Sequence, residues 1–482
     1  MKKYPVFRFI NLFFSILFCY LAVRLLGIDG NTKYIHLMMV VLLGGIGVWF
    51  CLKDGEDGVE RAFQAFVAAG MVLHIGYMLS TGCMIRSHDL GDFTISSGGH
   101  ASYLLTLIWQ GQLPQTNEIQ FYQQPFFYLA GSVVSVVVNH ILHCEEAFYL
   151  VDAAKIISCF ASCAVLLCLK PLCGICGVKG RGRVIAAAMT AFLPASYLAG
   201  GRGNCDALVY FFMTVLFLQT LRFREKPDWN NILLLALAYG LAMMTKISCG
   251  LMALFTTVIF LYEFGKRIRH GGWLLLGLKY LTFALISFPL GLWYSMRNYF
   301  RFAQSLTYVL QLTSDSPLYR GEVPLVQRFF TLDTANLLKT PYVNIGSDYN
   351  LPVYLLKSAL FGEFYYSVPV MVPVLLLLCG MGLSVVTVVA VYDGIRKKKM
   401  AGAWKYMIGV FCLSLLAAFY FYWREPYSCS MDYRYSIFMI VPAGMMAGRL
   451  YEEGGNVVMK KSISCLTAGF VLCSVLFCLM VR

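Results

Sequence analysis

Arg86-Ser87-His88-Asp89-Leu90-Gly91-Asp92-Phe93 sets two carboxylates, an imidazole and a guanidinium within seven residues, and His100 lies just beyond. Two chemistries suit these groups. A carboxylate within hydrogen-bond reach of a hydroxyl or amine acts as a general base, an imidazole orients it or exchanges protons, and a guanidinium holds an anion through its fork. Asp92 lies three residues after Asp89, so the two share a face if the segment is helical. In the second chemistry, His88, Asp89, Asp92 and His100 hold a divalent metal, provided the loop folds back on itself. The plain alternative is a solvated loop in which Asp92 caps the next turn of chain.

The elements around this loop are apolar. Of 482 residues, 59% are hydrophobic and 13% charged, more apolar surface than a soluble chain of this length can hide. The fold class is therefore an all-α polytopic membrane protein. Segments of bilayer length are expected at 8–27, 36–52 and 62–84 before the loop. After it come 147–169, 184–200, 207–222, 230–246, 248–264, 273–294, 366–392, 404–422, 435–450 and 462–481, about thirteen helices in all. The chain reads as one integral-membrane domain, 1–482, with two sizeable loops at 85–146 and 295–365. Met1-Lys2-Lys3 and the apolar run behind it resemble a signal peptide, but the run is long and no small-residue cleavage site comes after it, so a retained anchor is expected. Most of the 17 cysteines sit in apolar segments, where Cys acts as a small hydrophobe, and no disulfide framework is visible. Cys173 and Cys176 have no second pair beside them, so a four-ligand zinc site is unsupported. Asp152 and Lys155 are expected to pair, and Arg24 to snorkel outward.

The formal charge of +14 does not indicate nucleic acid, because the cations cluster in short loops between spans. Those clusters also set the topology. If 126–141 lies in the interface or re-enters, Lys170/Lys179/Arg181/Arg183, Arg222/Arg224/Lys226, Lys266/Arg267/Arg269, Arg396/Lys397/Lys398/Lys399 and Lys460/Lys461 share the side of Lys2, Lys3 and Arg8. If it spans, all of them move to the far side, against the positive-inside rule. The N-terminus is then cytoplasmic and the His-Asp loop extracytoplasmic. Trp109, Phe121, Tyr122, Phe126, Phe127 and Tyr128 suit the headgroup region.

The same count puts Arg202, Asp206, Lys246, Arg297 and Arg434 on the outer face as isolated charges at helix ends. Topology does not require them there, so they are candidates for function, with snorkelling as the alternative for each cation. An Asp opening a span can equally cap it, as Asp206 would. Glu363 is expected to pair with Lys357. The loop 295–365, rich in Tyr and Phe, is expected to cover the helix bundle.

Several motifs recur in an order similar to a known group. They are His88-Asp89, Gly99-His100 with Tyr103, Leu113-Pro114, Phe121-Tyr122-Gln123-Gln124-Pro125, Asn204-Cys205-Asp206-Ala207-Leu208 and Thr245-Lys246-Ile247-Ser248. Trp293, Arg297-Asn298, Leu356-Lys357-Ser358, Phe361-Gly362-Glu363 and Arg434-Tyr435 come next. Over residues 62–450 the chain resembles the C-type (GT-C) glycosyltransferases that use polyprenyl-phosphate sugars. The likeness is to the family-39-like branch of protein O-mannosyltransferases and the lipid A aminoarabinose transferase. Departures are His-Asp where mannosyltransferases have Asp-Glu, Gln123-Gln124 where His-Pro is expected, and two extra spans before the loop, where members often have one.

The resemblance implies a glycosyltransferase with juxtamembrane helices in its first outer loop. The sugar would pass from a polyprenyl-phosphate donor to an acceptor protein, lipid or glycan outside a bacterial plasma membrane. It makes Asp89 the general base, with Asp92 as runner-up and His88 orienting it. Arg297 and Lys246, then Arg86, Arg202 and Arg434, would hold the lipid phosphate, an anion that leaves only if its charge is met. His100, Tyr103, Tyr122 and Asp206 would contact the substrate. No cofactor is certain, with a divalent metal as the open alternative; membrane lipid is a partner and nucleic acid is not. The competing reading is a transporter or flippase of a lipid-linked glycan, which would show half-repeats and charges near the bilayer centre. A non-catalytic assembly protein would show no convergent polar cluster.

Overall fold

The computed structural model describes all residues except 1–4, 30, 53–57, 311, 397–401 and 482. Lys2, Lys3 and Lys397 to Lys399 of the topology argument lie outside the described residues. Among the described residues the regular elements are helices, and Tyr319 and Tyr427 form an isolated bridge. The chain is an integral-membrane protein of all-α class.

Among the described residues, ten helices are long and apolar enough to cross a membrane, or eleven if one bent pair counts as a span, against the thirteen expected. The three differences have local causes. Pro194, with no N–H to continue the ladder, comes just after a break at the end of Ala191, and the helices Gly180–Ala191 and Pro194–Gly200 meet at 51°. Trp229–Thr245 has 17 residues, about 26 Å at 1.5 Å each, short of a ~30 Å hydrocarbon core. The apolar stretch at 435–450 opens as 3₁₀ turns, Tyr433–Tyr435 and Ile437–Met439, and becomes α-helix only at Ile440–Glu453. Phe126–Leu142 is likewise a short apolar helix.

The chain divides into two compact units. The first comprises Met1–Gly27, Gly82–Cys168 and Gly200–Gln311. Here Trp229–Thr245 packs closely on Trp273–Phe302 through glycines. A Cβ on Gly240 would lie 2.5 Å from Leu290, and one on Gly291 would lie 2.8 Å from Met243. That contact fixes the two helix ends that carry Lys246 and Arg297. Thr256 links three helices, bonding Thr220 at 2.8 Å and Tyr239 at 2.5 Å. Between apolar helices, hydroxyl pairs of this kind hold neighbours in place. Arg24, in the last turn of Pro5–Leu25, lays its guanidinium over the Tyr149 ring at 3.7 Å.

The second unit comprises Ile28–Thr81, Leu169–Ala199 and Leu312–Arg482. Gly180–Ala191 and Ile440–Glu453 interlock through Gly182 and Gly448, each sitting against the other's carbonyl. Glu60 pairs with Lys170 and, at 3.2 Å, with Arg183. The segment after 312 forms short helices, Leu325–Phe329, Thr334–Lys339 and Leu351–Phe361. It is tied back within its own unit, since Arg320 N donates to Pro426 O and Ser428 N to Leu318 O. All seventeen cysteines are free, and Asp152 pairs with Lys155 at 2.7 Å, both as the sequence suggests.

Candidate functional site

The loop that carries the His-Asp motif is fixed at its root. Cys83 N donates to Asp152 Oδ1 at 2.8 Å, and Asp152 also accepts from Tyr20 and Lys155. Asp152 is buried, and its three partners meet the cost of ionisation there. Beyond Cys83 the chain is not helical, so Asp89 and Asp92 do not share a helix face. Arg86, Asp89 and Phe93 all take the left-handed conformation, at φ 56°, 55° and 62°. Asp tolerates that region better than most residues, but three such residues together need outside support. Support comes from the helix Gly99–Gln110, where His100 N donates to Asp89 O at 2.9 Å and Ala101 N to Leu90 O at 2.8 Å. Gly99, at φ 93°, allows this docking, because a Cβ there would sit 2.5 Å from Leu90 O. Asp89 is exposed at the surface of a loop whose backbone is held.

Asp92 has another job. Its carboxylate accepts from Thr94 N at 3.1 Å, Thr94 Oγ1 at 2.7 Å and the Ser97 hydroxyl. The Ser97 and Thr94 hydroxyls hold this carboxyl below the usual carboxylate range. Asp92 is the turn-forming residue of the loop, as its plainer reading had it. Among the described residues, His88, Asp89, Asp92 and His100 do not bring three ligand atoms within 4.8 Å of one another.

Behind the loop lies an aromatic floor. His100 Nδ1 bonds Tyr128 Oη at 2.6 Å. Tyr128 stacks on Tyr103 with ring centres 3.8 Å apart, and Tyr103 lies edge-on to Phe121. Tyr294 Oη donates to Phe121 O at 2.8 Å. Tyr103, a candidate substrate contact, is wholly buried against Tyr128. Burial pushes the Tyr103 and Tyr128 phenols well above their ordinary value, so both stay neutral donors. Tyr122 is half-buried. Burial raises its phenol too, while the Lys246 ammonium lowers it and the Asp89 carboxylate raises it. Both charges therefore act on one phenol. Tyr128 in turn feels Asp206 and Tyr122.

The cations differ in how they are held. Lys246 caps the end of Trp229–Thr245 and pairs with Asp206 at 2.9 Å. Asp206 opens the helix Asp206–Glu225 and also accepts from Asn204 Nδ2 at 3.2 Å. Arg202 is buried and donates to Arg86 O at 3.1 Å, which pins the His-Asp loop. Arg297 donates to Pro114 O at 2.5 Å and Asn298 Oδ1 at 2.9 Å. Gln124, where the motif departs from His-Pro, donates to Ser295 Oγ at 2.7 Å. Hydrogen bonds and an ion pair thus join His100 to the backbone of Asp89 and Asp206 to Lys246, while Arg202 and Arg297 tie loops through Arg86 O and Pro114 O. Tyr128 joins them; the sequence marked it only as an interfacial aromatic.

Arg434 belongs to the second unit, where it faces Asp432 at 3.3 Å and Tyr435 at 2.9 Å. In the same unit Glu363 accepts from Tyr354 Oη at 2.5 Å, whereas Lys357 bonds Asn336 O and Asp348. The expected Lys357–Glu363 pair is not made, because Asp348 reaches the buried ammonium first.

With this geometry in view, three comparisons bear on what the chain is. Residues 156–293 match the family described as dolichyl-phosphate-mannose-protein mannosyltransferase. That stretch holds Arg202, Asp206 and Lys246, and leaves Asp89 and Arg297 outside. Among solved structures, the chain is similar to the crystal structure of ArnT from Cupriavidus metallidurans in the apo state. The identity is 15% and the TM-score 0.35, over 82% of this chain and 79% of that one. Nothing among curated proteins matches.

Proposed function

We propose that this chain is a C-type glycosyltransferase that moves a sugar from a polyprenyl-phosphate donor to an extracytoplasmic acceptor, a reading supported by the match of residues 156–293 to the mannosyltransferase family. Asp89 takes the proton from the acceptor hydroxyl or amine. The freed lone pair forms the new bond to the anomeric carbon as the bond to the lipid phosphate breaks. The departing phosphate needs a cation, and Lys246 supplies it, oriented by Asp206. Arg297, already tied to the 111–125 segment, adds a second cation from the same unit, and His100, Tyr122 and Tyr128 line the approach. Arg202 acts mainly by holding the loop at Arg86 O, and the Arg86 guanidinium is a further phosphate ligand in this reading. His88 remains beside the base.

The observation that carries the proposal is the tie between two segments: Arg202 donates to Arg86 O of the His-Asp loop, and four residues on Asp206 pairs with Lys246. It supports a loop carboxylate and an oriented ammonium held by one stretch of chain, the arrangement that a base and a leaving-group cation require. The strained backbone at Asp89 supports it further, since left-handed residues that need outside support concentrate at functional sites.

The test is transfer by purified protein in lipid, with polyprenyl-phosphate hexoses and pentoses as donors. Asp89→Asn should release polyprenyl phosphate ~10²–10⁴-fold more slowly than wild type, the usual worth of a general base. Donor binding should persist. Equal turnover in the two proteins would remove Asp89 from the role.

A further inference from the structure

Outside the candidate site, the most unusual surface of the second unit is the short helix Leu325–Phe329 and its flanks. Leu325, Val326, Phe330 and Leu332 are all exposed, with Phe330 at 76% and Val326 at 65%. None of them belongs to a helix long enough to span. Apolar side chains in a polar loop usually turn inward, and here the reverse holds. The one cation of the short helix, Arg328, is buried beside Phe329.

Arg328 explains how the segment is held. It donates to Tyr422 O at 2.7 Å and lies over the Tyr422 ring at 4.3 Å. Tyr422 is in the last turn of Trp404–Arg424, so the guanidinium satisfies one of that helix's orphan carbonyls. Phe329 stacks on Phe419 at 5.3 Å and 22°, and Phe330 approaches the same ring at 6.3 Å. Phe419 lies five residues before Arg424, about 7.5 Å back along the helix axis at 1.5 Å per residue. The loop therefore reaches below the end of a membrane-length helix and lies along its side. Asn350 clamps the other flank, donating to Gln327 O at 2.8 Å and to Thr331 O.

Beside this segment, Tyr420 and Trp423 are exposed on Trp404–Arg424 and contact each other at 6.0 Å. Aromatic residues at the end of a span mark the headgroup level. Tyr420 and Trp423 each follow by one residue a group that the segment touches, Phe419 and Tyr422, so the apolar face of 325–332 adjoins this aromatic end of the helix. We propose that residues 325–332 insert into the lipid headgroup and upper acyl region as an interfacial anchor. Leu325, Val326, Phe330 and Leu332 would lie in lipid, and Arg328 would fasten the segment to the protein. The partner is the bilayer itself, and burial of this face against lipid is the ordinary drive for interfacial segments. The anchor would fix the depth of the 312–365 segment, and its presence does not depend on the transferase reading.

The test uses the full chain in nanodiscs of phosphatidylethanolamine and phosphatidylglycerol. Benzoylphenylalanine replaces Phe330, Val326 or, as a control, the exposed Glu322 of the same segment. After irradiation, intact mass reads phospholipid adducts. Positions 330 and 326 should give adducts at least tenfold above 322. Equal yields at 330 and 322 would overturn the proposal, and so would a dominant adduct to a second copy of the chain. The aromatic exchange at 330 is mild, and position 326 gives an independent reading if one variant fails to fold.

Discussion

The Asp206–Lys246 pair makes an asymmetric prediction. The ammonium and carboxylate are 2.9 Å apart, with side chains 19% and 6% exposed. Lys246→Met leaves a carboxylate in a nearly dry site with a long bond from Asn204. Breaking a fully buried pair in this way costs about 3–5 kcal/mol. Lys246 keeps a fifth of its surface in solvent, so about 2–3 kcal/mol is expected here. Asp206→Asn is milder, because the long lysine stem can carry its charge toward water. Its cost is that of one charge-assisted bond at a partly wet site, about 1 kcal/mol. The double variant should be more stable than Lys246→Met alone, since no buried charge is then stranded. The assay is equilibrium denaturation in nanodiscs for all four proteins, run beside donor transfer. If Lys246 also holds the leaving phosphate, Lys246→Met loses a further ~1.5–3 kcal/mol in kcat/KM, roughly 10–150-fold. Lys246→Arg should recover part of that loss, and Asp206→Asn should stay within about tenfold of wild type. Two results would refute the reasoning. One is Asp206→Asn destabilising as much as Lys246→Met. The other is a double variant whose loss is the sum of the two singles, which would mean that the pair is not coupled.

Two other expectations are independent of this pair. A Cβ at Gly448 would lie 2.2 Å from Gly182 O, a backbone atom that cannot step aside. Gly448→Ala should therefore cost about 2 kcal/mol in denaturation experiments by forcing two helices apart, while Gly455→Ala, with nothing within 4 Å, should be close to neutral. For Asp92 the sign comes from its lowered folded-state value. The order it lends the loop is present above the ordinary carboxylate range near ~3.9 and is lost as pH falls through the lower, folded value. Hydrogen-exchange protection at Thr94, corrected for intrinsic rate, should be flat from about pH 7 to 5 and fall only below the ordinary range. A midpoint above pH 5 would show that another group controls the loop.

The sequence and the structure agree where hydrophobicity alone decides, and part where backbone geometry does. Membrane class needs only apolar length, and the pairing of Asp152 with Lys155 needs only helical spacing, so both were readable. The helix count fails at Pro194 and at 433–439. There the composition stays apolar, but the backbone bends at a proline or runs as 3₁₀ turns, and neither is visible in hydropathy. The Lys357–Glu363 pair fails for a related reason. Sequence neighbours compete with a distant partner, and Asp348 becomes a neighbour of Lys357 only after 331–350 has folded.

The candidate site shows the same division. Residue types at 88–100 announce chemistry, yet they do not say which carboxylate is committed elsewhere. That is settled by Thr94 and Ser97, which occupy Asp92 and leave Asp89 as the carboxylate presented on the loop. Tyr103 carries a polar end and sits in a motif, but Tyr128 covers it. The cations resolve into different classes only when their partners are known. Arg202 is bound to a backbone carbonyl of the His-Asp loop, so it fixes that loop; Lys246 is bound to a carboxylate, so its charge is held in one orientation. A polar residue's function is thus set less by its type than by which of its hydrogen-bonding atoms the fold has already taken. For this chain that principle separates the residues that build the loop from those left to act on a substrate.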